Sequence, residues 1–402
     1  MPHLSKRICT LNGDGSDGWG VFYKARALKA QGQDILELTI GEHDIGTDQA
    51  ILDEMHRAAS AGHTGYAMVP GVDALRDRIA SRVANRTGVA TTRDNVLVTP
   101  GGQAALFAAH MATLAPGETG LYIDPYYATY PGTIRAASGI PHAIATRAED
   151  AFLPSFDQID GAARATGARS LLVNTPNNPT GTVYGADTLD GIARAAIGND
   201  LWLISDEVYD TQVWEGAHVS PRALPGMAER TMVVGSMSKS HAMTGSRIGW
   251  IVAPEEAVAR LIDLATATTY GVPGYIQDAA LFALQQGDAV EEHVAEPFRR
   301  RRALVLDTLA RQSVVTAIPS RGAMYLMLDI RATGLDGETF AYRLLDAHRI
   351  AVMPGESFGA SAAGHVRVAL TVADNRLSHA VDTLCGFAAE LSAARVTDGS
   401  MA

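Results

Sequence analysis

The chain has 402 residues, 47% hydrophobic and 19% charged, a globular composition that excludes intrinsic disorder. Lys plus Arg (33) fall short of Asp plus Glu (44), and the net charge of −11 weighs against a general binder of nucleic acid or anionic membrane. Two cysteines, Cys9 and Cys385, exclude a disulfide framework and a four-thiolate zinc site. The opening MPHLSKRICTLNGDGSDGW has no apolar core of a secretory leader. No apolar run approaches the ~18 residues of a membrane span. A cytoplasmic α/β protein with two domains is the expectation at this length.

In chain order, short β-rich runs alternate with helical stretches. Val96-Leu97-Val98 leads through Gly101-Gly102 into a predicted helix from about Gln103 to Ala115. Gly120 to Ile123 leads through Asp124-Pro125 into a helix ending near Ala137. Ser170 to Val173, Leu201 to Ile204, Thr231 to Val234 and Ile248 to Val252 follow as strands. Runs of four or five apolar residues without strict alternation are buried on both faces, and their spacing by helices predicts a mostly parallel sheet with helices on both faces. From Pro254 to about Leu309 helical periodicity dominates. Then come a strand at Ala323 to Leu328, a helix at Thr339 to His348, a strand at His365 to Leu370 and a closing helix from about Arg376 to Leu391. This order predicts a large domain over residues 46–290 and a smaller α+β domain from residues 1–45 and 291–402.

Several motif matches carry little. Gly355-Glu-Ser357-Phe-Gly359 fits a nucleophile elbow, but a poor helix follows it. Ser236-Met-Ser-Lys239 fits S-x-x-K without its companion K-T-G. Asp14 and Asp17 have the wrong spacing for a calcium loop. Arg299 to Arg302 reads as a solvated or interdomain helix face.

One constellation remains. Four predicted strands end in Gly101-Gly102-Gln103, Asn174 to Gly181 (NTPNNPTG), Asp206-Glu207-Val208-Tyr209 and Ser236-Met-Ser-Lys239. In a parallel sheet such ends line one ligand crevice. Glycines at a helix N-terminus accept phosphate, a lysine in a crevice forms a Schiff base, and a carboxylate can hold a pyridine nitrogen protonated. Together these three functions describe pyridoxal phosphate.

The stretch Ser236-Met-Ser-Lys239-Ser-His-Ala-Met-Thr-Gly-Ser-Arg247-Ile-Gly249 resembles the cofactor-attachment signature of class I/II aminotransferases of fold type I. NNPTG, DEVY, Gly-Gly-Gln and Pro125-Tyr126-Tyr127 fall in that family's order, and the resemblance runs from Leu38-Thr-Ile-Gly41-Glu42 to Val366-Arg367-Val368. It implies that Lys239 carries the cofactor as a Schiff base and shuttles the proton. Asp206 then pairs with the pyridinium nitrogen, Tyr209 and Asn178 bond the phenolic oxygen, and Tyr127 stacks on the ring. Ser236, Arg247, Gly102 and Gln103 bind the phosphate, joined by Tyr66 of a neighbouring subunit in a homodimer. Arg367 clamps the substrate carboxylate, with Gly41 and Asn178 beside it. The implied reaction is ping-pong transfer of an amino group from an L-amino acid to a 2-oxo acid, without nucleic-acid or membrane partners. A C–S lyase, decarboxylase or oxidase on the same cofactor, or a cofactor-sensing regulator, is the alternative.

Two departures bear on the donor. The family's usual Gly-Glu-Pro-Asp-Phe reads here Gly41-Glu42-His43-Asp44-Ile45. Gln103 stands where the aspartate-specific subgroup often has lysine. The run through Lys239 and the stretches Tyr270-Gly-Val-Pro273 and Ile276-Gln-Asp-Ala-Ala280 resemble arginine–pyruvate transaminases more than aspartate ones. A cationic donor would need an acceptor, for which Glu42, Asp44, Asp14 and Asp17 are the candidates.

Overall fold

A computed structural model describes residues 2–13 and 18–399. Twelve strands are found among these residues. They are β1 (Leu36–Leu38), β2 (Val96–Thr99), β3 (Thr119–Asp124), β4 (Ile140–Ala145), β5 (Ser170–Asn174), β6 (Trp202–Asp206), β7 (Thr231–Ser236), β8 (Gly249–Val252), β9 (Thr316–Ala317), β10 (Tyr325–Asp329), β11 (Ile350–Pro354) and β12 (His365–Ala369). Seven of them form a sheet in the order β2-β8-β7-β6-β5-β3-β4, and five form a second sheet in the order β1-β11-β12-β10-β9.

The seven-stranded sheet is parallel except for β8, which runs antiparallel to both β2 and β7. Because β8 is flanked by two antiparallel pairings, β2 runs parallel to β7. The C-terminal ends of β2, β5, β6 and β7 therefore share one edge, as the motif placement requires.

Alternation along the strands sorts the core into two layers. Leu97, Leu172, Ile204, Met232, Val234 and Ile251 face the helices Gly102–Thr113 and Glu255–Ala267. On the opposite face, Val96, Val98, Val233 and Val252 meet Asp73–Thr87 and Gly274–Gln285, while Leu171, Val173 and Leu203 meet Phe156–Thr166 and Ala186–Gly198. Burial on both faces explains why these strands read as unbroken apolar runs.

Three features depart from the sequence expectation. The helical stretch after Pro254 is three helices, Glu255–Ala267, Gly274–Gln285 and Asp288–Leu309. The first break falls where Tyr270 and Gly271 take left-handed backbone angles ahead of Pro273. β4 was not expected, since its residues are mostly exposed and include Pro141, as befits an edge strand. β9 was missed, as were β1 and β11. The last two pair in parallel, Leu36 with Ile350 through Leu38 with Val352, which joins the N-terminal segment to the sheet of the C-terminal third. No helix among the described residues is long and apolar enough to cross a membrane.

Candidate active site

At the end of β6, Asp206 is only 4% exposed. Its Oδ2 accepts the Tyr130 hydroxyl at 2.8 Å and its Oδ1 the Val208 N–H at 3.3 Å. Burial pushes this carboxyl up to about 6 against the pull of those two bonds. A carboxylate in such a place gains most from a buried cationic partner.

Beyond β7, the turn Met237–Ser240 presents Lys239, whose Nζ bonds the Gly41 carbonyl. Burial lowers the Lys239 ammonium pKa. Arg367 and Arg247 push the same way, while Tyr325 and Glu42 oppose. A lysine disposed toward its neutral form is the one that can act as a nucleophile. Ser236 Oγ accepts the Ser238 N–H at 3.1 Å and so fixes the start of this turn.

Beyond β2, Gly101 takes φ +80°, and a Cβ there would collide with the Arg247 guanidinium. Gly102 opens the next helix, which exposes the unpaired N–H groups of its first turn beside Arg247 and Ser236. Gly249, at the start of β8, sits directly beneath. A Cβ there would come within 2.9 Å of the Gly101 carbonyl carbon and 2.7 Å of the Gly235 oxygen. Only glycine lets β8 approach this closely.

Arg367 on β12 is 1% exposed and reaches across to the large sheet's crevice. Its Nη1 donates to Asn178 Oδ1 at 2.7 Å and its Nη2 to the Thr39 carbonyl, while its Nε has no partner among the described residues. The guanidinium lies between the rings of Tyr325 and Phe358, 4.3 Å from each centroid. These two ring contacts, with the bonds to Asn178 and Thr39, hold the guanidinium in place. Tyr209 meets Tyr325 hydroxyl to hydroxyl at 3.0 Å, and Asn178 is further held by its N–H to Asn174 Oδ1 at 2.8 Å. A Cβ on Gly41 would strike the Tyr325 hydroxyl.

Lys239, Asp206, Tyr209, Asn178, Tyr127, Ser236, Arg247, Gly102, Gln103, Gly41 and Arg367 all line one cavity of about 320 Å³. Tyr66 does not. It is 91% exposed and packs edge-on against Tyr270 at 5.2 Å. Tyr127 is half-buried with its ring edge-on to Tyr130. Gln103 has its side-chain amide engaged, Nε2 donating to Thr133 Oγ1 at 2.8 Å and Oε1 accepting from Thr129 at 3.1 Å, so its backbone N–H is the group left for an anion.

Sequence reasoning missed Tyr130, Tyr325, Phe358 and Trp19. Tyr130 stands three residues past Tyr127 and opens the helix Tyr130–Ala136, its N–H bonded to the Tyr127 carbonyl at 2.9 Å, and that spacing was the available signal. Tyr325 is the first residue of β10, and its role depends on β12 packing beside it.

The incidental motifs resolve structurally. Ser357 Oγ donates to the Gly18 carbonyl at 2.6 Å, the bond of a structural serine. In the arginine run, Arg299 pairs with Glu292 and Glu296, Arg300 with Asp374, and Arg302 with Glu215. Arg301 grips Asp44 through two bonds, Nη1 at 2.8 Å and Nη2 at 2.6 Å. Asp44 is thus engaged, which removes it as an acceptor for a cationic donor. Glu42 lines the cavity and has no ion-pair partner among the described residues. Asp14 and Asp17 lie outside the described residues.

The model of the family described as aminotransferase class I and II matches residues 33–384. The chain belongs to this family. Among curated relatives, this aminotransferase is 40% identical over 381 residues to arginine–pyruvate transaminase AruH of Pseudomonas aeruginosa, covering 95% of this chain and 97% of the relative. It is 35% identical over 386 residues to the aspartate/prephenate aminotransferase of Thermus thermophilus, covering 95% and 98%. The solved aspartate aminotransferase from Thermus thermophilus with maleate superposes with a TM-score of 0.89 at 34% identity, covering 96% of this chain and all of that one. The aminotransferase therefore has the fold type I architecture and uses pyridoxal 5′-phosphate. The site's chemistry fits that cofactor. It offers unpaired helix N-terminal N–H groups beside Arg247 for the phosphate, a buried carboxylate for the ring nitrogen and a lysine disposed toward its neutral form.

Proposed function

We propose that this chain is a cytoplasmic, homodimeric transaminase that moves an amino group from an extended cationic or neutral L-amino acid to pyruvate. The reading is carried by one observation, the convergence of Lys239, Asp206 and Arg367 in a single cavity. Bound pyridoxal phosphate supplies an electron sink for the bond cleaved at the substrate Cα. The residues do the rest. Lys239 Nζ holds the cofactor and then moves the proton at Cα. Asp206 keeps the ring nitrogen protonated through an ion pair. Tyr209 and Asn178 bond the phenolic oxygen, and Tyr127 flanks the ring. Gly102, Gln103, Ser236 and Arg247 take the phosphate. Arg367, with Gly41 and Asn178 beside it, would fix the substrate carboxylate and so orient the substrate Cα in the cavity. Residues 46–290 are assigned to a large domain, and residues 1–45 with 291–402 to a small one.

The donor reading rests on three supports. Gln103 offers no cation to a second carboxylate, and its amide is already held by Thr129 and Thr133. A second cavity of about 1030 Å³ adjoins the first at Trp19 and Gln103 and gives an extended side chain room. The relative AruH is named for arginine and pyruvate. A lost charge-assisted bond is worth roughly 1.5–3 kcal/mol, about tenfold or more in discrimination. Values of kcat/KM with pyruvate and 2-oxoglutarate across arginine, alanine, glutamate and aspartate are expected to put arginine at least about tenfold above aspartate. Aspartate leading arginine by that margin restores an aspartate aminotransferase.

Exposed Tyr66, Met68 (67%) and Tyr270 (53%) gather large apolar surface on one face, which supports a partner subunit there. Sedimentation is expected to give a dimer. Tyr66→Phe is expected to weaken cofactor binding about tenfold, the effect of one hydrogen bond to a charged group. A fully active monomer at nanomolar concentration would remove Tyr66 from the site.

A further inference from the structure

We propose that His43 is a positioning residue that tethers the substrate-side loop to the main chain of Lys239. The proposal rests on Lys239 being the residue that holds the cofactor.

The turn carrying Lys239 is a single helical turn, Met237–Ser240, too short to satisfy its own last carbonyls. The Lys239 carbonyl is met instead from outside. His43 Nε2 lies 3.0 Å away and Gln212 Nε2 3.3 Å away. A carbonyl only accepts, so the His43 proton is on Nε2 and the ring is the neutral tautomer that donates. Burial, with Lys239 adding to it, lowers the imidazole pKa to about 4, so the ring stays neutral across physiological pH. The edge-on Phe298 ring, 5.3 Å away on the helix Asp288–Leu309, holds the imidazole in this orientation.

The same loop touches the lysine turn at two other points. Lys239 Nζ bonds the Gly41 carbonyl, and Thr47 Oγ1 donates to the Ala242 carbonyl at 2.7 Å. From the other side, Asp44 is gripped by Arg301. Once Lys239 Nζ engages the cofactor, its bond to Gly41 is lost. The His43 bond, made to the backbone, does not depend on what the lysine side chain is doing. It keeps the loop and the lysine turn in register through that exchange of partners. Proline, the family's usual residue at this point, has no side-chain donor, so the tether belongs to this chain's departure from the pattern.

The test uses cofactor-free wild type, His43→Pro, His43→Phe, His43→Gln and Lys239→Ala. Pyridoxal phosphate is added, and its capture (amine plus aldehyde, one water released) is followed by the visible band. Amide exchange of residues 41–47 is measured in the same cofactor-free proteins. Loss of one net hydrogen bond predicts capture about fivefold slower in His43→Pro and His43→Phe, with faster exchange in the loop. His43→Gln, which keeps a donor, is expected within about twofold of wild type. His43→Pro capturing at the wild-type rate with unchanged exchange overturns the tether, as does His43→Gln behaving like His43→Pro. Wild type failing to capture, or Lys239→Ala capturing equally, overturns the assignment of Lys239 itself.

Discussion

Replacing Lys239 with alanine is expected to lower transamination by at least about 1,000-fold while the protein still folds and still binds pyridoxal phosphate noncovalently. Lys239 is the amine set among Asp206, Arg247 and Arg367, and its Nζ bonds the Gly41 carbonyl. On the proposed assignment, removing it takes away both the covalent hold on the cofactor and the group that moves the proton. Phosphate recognition is expected to survive, because the residues proposed for it, Gly102, Ser236 and Arg247, do not depend on the lysine side chain. The check is a single-turnover assay together with the visible spectrum of the loaded variant. Near-normal turnover, or an unchanged visible band, would contradict the assignment.

Asp206→Asn is expected to cut kcat by about a hundred- to a thousandfold with the fold intact. Asparagine keeps the shape and the bond to Tyr130 but cannot hold a pyridine nitrogen protonated. The same substitution separates catalysis from stability. In the cofactor-free protein the Asp206 pKa is raised to about 6 from its ordinary value near 3.8, with burial as the main cause. A raised carboxyl binds more protons in the folded state between those two values. Wild-type stability therefore falls as pH rises through that interval, and stays lowered above it. Cofactor-free Asp206→Asn is expected to lack this loss and to melt higher than cofactor-free wild type at pH 7 to 8. Cofactor addition should then raise the melting temperature of wild type more than that of the variant. A variant within a few-fold of wild-type kcat would remove Asp206 from the mechanism.

Much of the site was legible in the sequence because its residues sit at strand ends, where local pattern and chemistry coincide. Asp206, Ser236 and the glycines after Thr99 each follow an apolar run at the point where the strand has to stop. Tyr325 and Phe358 carry no such mark. They matter only because the small sheet brings β10 and the segment after β11 against Arg367, and neither residue stands where an apolar strand gives way to a polar turn. β1 escaped for a similar reason, being three residues long and defined by its partner, β11. That Asp44, one of four candidate acceptors for a cationic donor, is engaged by Arg301 was not legible, because Arg301 lies far along the chain.

The placement of β8 has a consequence for the order of assembly. The proposed phosphate cradle joins the turn after β2 to Ser236 and Arg247, and the strand that holds these parts together is β8, lodged between β2 and β7 with Gly249 under Gly101. During synthesis, β2 emerges early but has no neighbour until β8 leaves the ribosome far later, and long-range pairing of this kind is slow to close. A nascent chain stopping short of β8 therefore has the glycines but no cradle. Arg367 and its clamp follow later still. On the proposed assignment, cofactor capture would follow the arrival of β8 and β12 and would not be an early scaffold on which the rest is built.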